Sequence, residues 1–124
     1  MTNLQLQRRG VDAAARIGKA LDHPLRIRAI AALRDRELCV CELTELFGLA
    51  ASTVSKHMSL IADAGLVDRR RDGKWTYYAL PTESEPAIVH AIEAVLLLVK
   101  DDPVILEDRA NIPRINCASE GHCG

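Results

Sequence analysis

Cys39 and Cys41 are the side chains in this sequence best suited to chemistry. They stand one residue apart in the run Glu37-Leu38-Cys39-Val40-Cys41-Glu42-Leu43. Thiolates are soft donors and select soft metals and metalloids over magnesium or calcium. A metalloid that favours three thiolates in a pyramid would find two ligands in this pair and need a third. The remaining thiols are Cys117 and Cys123. They lie in the 21 residues after Pro103, a length of chain that extends on the order of 70 Å. Four thiols would equally make a tetrahedral cadmium, lead or zinc site. Two other fates stay open: a redox disulfide between the tail cysteines or from tail to core, and inert, buried cysteine. Residues i and i+2 of a helix point to nearly opposite sides. One ion held by both Cys39 and Cys41 therefore needs a helix start that is non-helical or distorted.

The elements that must position these thiols follow from composition and pattern. The chain has 124 residues, the size of one domain. Its 48% apolar content includes only four Phe, Tyr or Trp, so the core is aliphatic and favours helices. The net charge of −1 excludes a globally basic protein and leaves nucleic-acid binding to a local patch. No apolar run is long enough for a bilayer, and the first residues lack a signal-peptide pattern. The expectation is a cytoplasmic chain with reduced thiols and no membrane partner.

Periodicity predicts a helix over residues 4–22 and a second from Pro24 to Leu33, restarted by Asp22-His23-Pro24. Two short helices follow, about Val40 to Phe47 and Ser52 to Ala64, split by Gly48 and closed by Gly65. Helices joined by a short glycine turn are the helix-turn-helix pattern. Residues 66–71 and 74–80 are strand-like around Asp72-Gly73, a strong hairpin signal. Four cations, Arg69, Arg70, Arg71 and Lys74, flank that turn, making a basic hairpin directly after the second helix. Ala87 to Lys100 is helical and apolar nearly all round at Leu96-Leu97-Leu98-Val99, more than a surface helix needs. A partner subunit is expected to cover it. Beyond Pro103 the periodicity fades. The organisation predicted is one domain over 1–103 and a flexible, cysteine-containing tail over 104–124. No phosphate-cradling loop follows a cysteine, and no strand-helix alternation would build one, so a thiol enzyme is not expected.

Together these segments resemble the ArsR/SmtB family of metal-responsive winged-helix repressors. Leu38-Cys39-Val40-Cys41-Glu42-Leu43 is similar to the family's arsenic-sensing signature. Ser52-Thr53-Val54-Ser55-Lys56-His57-Met58, with Ala64-Gly65-Leu66-Val67, is similar to its recognition helix and exit. Arg71-Asp72-Gly73-Lys74-Trp75-Thr76-Tyr77-Tyr78 is similar to its wing. The resemblance covers roughly residues 15–100. It implies a mainly α fold with a small β-hairpin, a dimeric winged helix-turn-helix built on the first and last helices. It implies a repressor on double-stranded operator DNA with an inverted repeat, released by As(III) or Sb(III) or, alternatively, by Cd(II), Pb(II) or Zn(II), with no constitutive cofactor. The candidate ligands are Cys39, Cys41, Cys117 and Cys123. The candidate DNA contacts are Ser52, Thr53, Ser55, Lys56 and His57 on the recognition helix, and Arg69, Arg70, Arg71 and Lys74 on the wing. Strand alternation keeps all three arginines from facing DNA together. Two departures stand out. Thr44 occupies a place where close arsenic-sensing relatives often carry a third cysteine, and a hydroxyl is a poor replacement for a thiolate. Ala50 stands where a capping serine is common, weakening that N-terminus by roughly 1 kcal/mol. The family's zinc sensors use carboxylate–histidine pairs on the last helix; here that helix has only His90, with Glu93 nearby.

Overall fold

The computed structural model describes residues 3–115. The chain runs through α1 (Asn3–Ala20), α2 (Pro24–Ala32), β1 (Leu38–Cys39), α3 (Val40–Phe47), α4 (Ala51–Asp63), β2 (Asp68–Asp72), β3 (Trp75–Ala79), α5 (Pro86–Val99) and α6 (Pro103–Asn111). A 3-10 turn, Ile112–Arg114, closes the described chain. This is the mainly α architecture that the sequence predicts, with the predicted hairpin extended to three strands.

Local chemistry sets the boundaries. His23 starts α2: its Nδ1 accepts the Leu25 N–H at 3.0 Å, and Pro24 takes the first helical position. Gly48 ends α3 in the left-handed conformation, φ 66°, with its N–H donated to the Thr44 carbonyl at 2.8 Å. The hairpin loop is Gly73-Lys74, since Asp72 pairs with Trp75. Only the first of these two residues has positive φ, as a type II′ turn demands.

The core is a largely aliphatic cluster around Ile30, Leu38, Leu43, Val54, Met58 and Ile61, joined by Leu66 and by Tyr78 of β3. It joins α2 to α3 and α4, the helix-turn-helix pair. The sheet has the order β1-β3-β2 and is antiparallel throughout.

Two elements were not expected. The first is β1, whose Leu38 pairs with Tyr78 and whose Cys39 pairs with Tyr77. A two-residue strand shows no alternation to read. The second is α6, which corrects the expectation of a flexible tail from residue 104. Asp102 caps it by accepting the Val104 N–H at 2.9 Å, and Pro103 opens it. Its inner side buries Ile105 and Asp108, and Ile112 in the following turn is buried too. Both Asp108 oxygens bond to Arg28 of α2 at 2.8 Å, and the Arg28 guanidinium lies 5.0 Å from the Phe47 ring centre. The domain therefore continues through the 3-10 turn. The apolar stripe looked broken because a buried aspartate sits in it, its partner 80 residues away.

Candidate thiol site and nucleic-acid interface

Cys39 sits at a junction. It is the last residue of β1 and the N-cap of α3, with extended backbone, φ −88° and ψ 165°. Cys41 is the second residue of α3, half-buried, while Cys39 is fully buried. The helix start is thus already non-helical at Cys39. The opposed-sides constraint of an intact helix does not apply to this pair.

Glu42 holds the junction. One carboxylate oxygen accepts the Cys39 N–H at 2.9 Å; the other accepts from Arg36 at 3.0 Å. Glu42 is buried, and this double engagement is what a buried carboxylate needs. Arg36 also reaches the Ile112 carbonyl at 3.5 Å, which ties the junction to the turn after α6. The Thr44 hydroxyl donates to the Cys41 carbonyl at 2.6 Å, so it serves the backbone of α3.

The Cys39 sulfur stands in a disulfide, and Cys41 is a free thiol. A Cys39 thiolate ligand therefore requires reduction first. Cys117 and Cys123 lie outside the described residues. Among the described residues no three His, Cys, Asp or Glu side chains gather as a ready cation site. His90 and Glu93 are exposed on α5, 3.7 Å apart across one helical turn.

The nine candidate DNA contacts separate by environment. Ser52, Thr53 and Lys56 are exposed on α4, and Ser55 is half-buried beside them. His57 turns inward. Its Nδ1 lies 3.0 Å from an Arg26 nitrogen, and its ring centre lies 4.5 Å from that of His23. Burial, then the neighbouring His23 and Arg26, push its pKa below the ordinary histidine value. Arg26 can only donate, so Nδ1 accepts this bond and Nε2 is the ring nitrogen left for another partner.

The wing cations also differ. Arg69 reaches the Ser59 hydroxyl of α4 at 3.4 Å and lies over the Tyr78 ring. Arg70 forms a two-pronged bond with Glu37, at 3.0 and 2.6 Å, and lies 4.4 Å from the Tyr77 ring centre. That bond holds the Glu37 carboxyl below its usual range. Arg71 is exposed, and Lys74 lies over Trp75. The sequence reading missed Arg26, Arg36 and Glu37 as positioning groups; none carries a motif, and their partners lie on other elements.

Comparison with known proteins places this geometry. The family model of bacterial regulatory proteins of the arsR family matches residues 23–69, from the cap of α2 to the start of the wing. The chain is 38% identical over 68 residues to the arsenic resistance transcriptional regulator ArsR1 of Pseudomonas putida, a match spanning 55% of this chain and 50% of that protein. It is 34% identical over 100 residues to the HTH-type transcriptional regulator CmtR of Mycobacterium tuberculosis, covering 80% of this chain and 85% of CmtR. Among solved structures, the homodimeric winged helix-turn-helix DNA-binding domain of Mb0332 from Mycobacterium bovis shares the fold. It has a TM-score of 0.64 and 23% identity, over 82% of this chain and 89% of that one. With a regulator's helix pair and wing, and that much sequence in common with CmtR along most of both chains, this protein belongs to the ArsR family of bacterial regulatory proteins and has the winged helix-turn-helix fold.

Proposed function

We propose that the protein acts as a cytoplasmic homodimer that represses from inverted-repeat operator DNA and leaves it when Cys39 and Cys41 capture trivalent arsenic or antimony. A third thiolate comes from Cys117 or Cys123. The observation that carries this reading is the position of Cys39: an extended N-cap directly before a helix that carries Cys41. The softness of the donor pair favours a metalloid or heavy metal, and the likeness to a regulator named for arsenic resistance narrows the class. Cadmium, lead and zinc are the alternatives within the same donor set. Dimerisation is supported by α5, where Leu97 and Leu98 are 67% and 84% exposed, and by Val11 of α1, at 70%. Apolar exposure of this extent on two helices suits a subunit partner. It is supported also by the homodimeric state of the Mb0332 domain.

The chemistry proceeds from the junction. Drawing both sulfurs to one ion reorients the backbone at Cys39, and with it the first turn of α3. That helix packs on α4, so the recognition surface shifts. Linkage requires that DNA weaken metalloid binding by the same factor that the metalloid weakens DNA binding.

X-ray absorption on the arsenite-loaded, reduced protein tests the site. The full chain should show three sulfurs around arsenic, and a variant cut after Arg114 should show two. Equal counts in both forms would remove the tail from the ligand set. An unchanged count in Cys41→Ser would remove the pair itself.

A second reading, control of DNA binding by thiol oxidation, is favoured by the disulfide at Cys39. Under it, oxidant releases DNA reversibly and arsenite has no effect on the reduced protein.

A further inference from the structure

Three side chains form one row across the sheet. Cys39 pairs with Tyr77, and Tyr77 pairs with Arg70. Residues directly opposite in an antiparallel ladder project to the same face. The row therefore runs from the thiol strand β1, through β3, to β2 in the wing. A second link closes it on that face. The Arg70 guanidinium covers the Tyr77 ring and grips both oxygens of Glu37, the residue immediately before β1. Two parallel bonds from a planar fork fix direction as well as distance. Arg69 and Arg71 project to the opposite face, and Arg69 there meets α4.

We propose that Arg70 is a positioning residue and not a DNA contact: through Glu37 and Tyr77 it ties the wing to the thiol-bearing strand, so that ligand capture at Cys39 and Cys41 moves the wing together with the helix pair. The inference rests on Cys39 and Cys41 being the ligand site. Its physical basis is the double duty of Cys39, which ends the strand and begins the helix. A rotation that brings its sulfur toward an ion shared with Cys41 also turns the backbone that pairs with Tyr77. β1 has only two residues, so that pairing has no further rungs to absorb the motion. The Glu37–Arg70 pair carries the displacement into β2. Exposed ion pairs add little to stability, so breaking this one leaves the fold and alters the coupling.

The chain holds a reporter for this motion. Trp75 is its only tryptophan and sits at the wing hairpin, opposite Asp72. In the reduced full-length protein without DNA, arsenite is titrated while free thiols are counted and Trp75 emission is followed. Emission should change in step with thiol loss. Glu37→Gln and Arg70→Gln should capture arsenite with unchanged stoichiometry. In both, the emission change should be largely lost, and arsenite should weaken operator binding by less than about fivefold, below the ordinary range of coupling factors. The charge-swapped double variant, Glu37→Arg with Arg70→Glu, should restore both in part, because it remakes the ion pair but not the guanidinium over Tyr77. The salt dependence of operator binding should be the same in Arg70→Gln as in the wild type. Arsenite capture with silent Trp75 emission, a double variant that stays uncoupled, or a salt slope lowered by about one in Arg70→Gln would overturn the positioning role and leave the ligand site standing. Absence of thiol loss would overturn the ligand site and the inference with it.

Discussion

Arg26 is buried, among the described residues no carboxylate pairs with it, and its hydrogen bonds explain how. Its Nε donates to the Ala20 carbonyl at 2.7 Å and a terminal nitrogen donates to the Lys19 carbonyl at 3.2 Å. These are the last residues of α1, where the helix dipole is negative. The other terminal nitrogen meets His57 Nδ1. One guanidinium thus joins the end of α1 to the recognition helix and requires His57 to be neutral. The sign of the pH dependence follows. A histidine whose folded pKa is depressed binds its proton more readily when unfolded, so its contribution is complete above 6.5 and is lost as pH falls below that value. We expect the thermal midpoint of the wild type to fall below pH 6.5 relative to His57→Asn, which keeps a neutral acceptor and does not titrate. Parallel profiles would show that burial and the neighbouring His23 and Arg26 do not depress the His57 pKa. The sequence alone placed His57 among the DNA contacts, because its position in the first turns of α4 was legible and its burial was not. The thiol pair was legible for the opposite reason: its meaning lies in residue type and spacing.

Among the elements, α4 is the one with a visible weakness. Its N-cap, Ala50, has extended backbone, φ −65° and ψ 148°, and no side-chain hydrogen bond to the first turn. A serine fits this geometry and would supply the missing acceptor. Ala50→Ser should stabilise the protein by about 1 kcal/mol, raising the thermal midpoint by a few degrees. An unchanged or lower midpoint would mean that neighbouring groups already satisfy those amides. The helix pair itself was legible to within a residue, since Gly48 and Gly65 mark both ends and the intervening apolar spacing is regular. β1 and α6 were hidden for physical reasons. β1 exists only because β3 lies beside it, a pairing between residues about 40 apart in sequence. α6 buries Asp108 against Arg28, a contact that no local window contains. Its Asp102-Pro103 start was a readable cap signal that the loss of apolar periodicity masked.

For the whole molecule, the arrangement brings four structural features to one short stretch. The chain between Glu37 and Leu43 supplies the wing's ion pair, the edge strand of its sheet, both candidate thiols and the start of the first helix of the pair. Perturbing it therefore acts on the wing and on the helix pair together. The faces of α1 and α5 left uncovered in one subunit are far from this stretch in sequence and suit a second copy, which would set the spacing of two recognition helices on DNA. If thiol capture at Cys39 and Cys41 lowers operator affinity as proposed, operator binding by the reduced full-length protein will differ with and without arsenite. The wild type should lose affinity at least about fivefold. Cys39→Ser and Cys41→Ser should bind the operator as the wild type does and keep that affinity when arsenite is added. Release of either variant at wild-type arsenite concentrations would contradict the account.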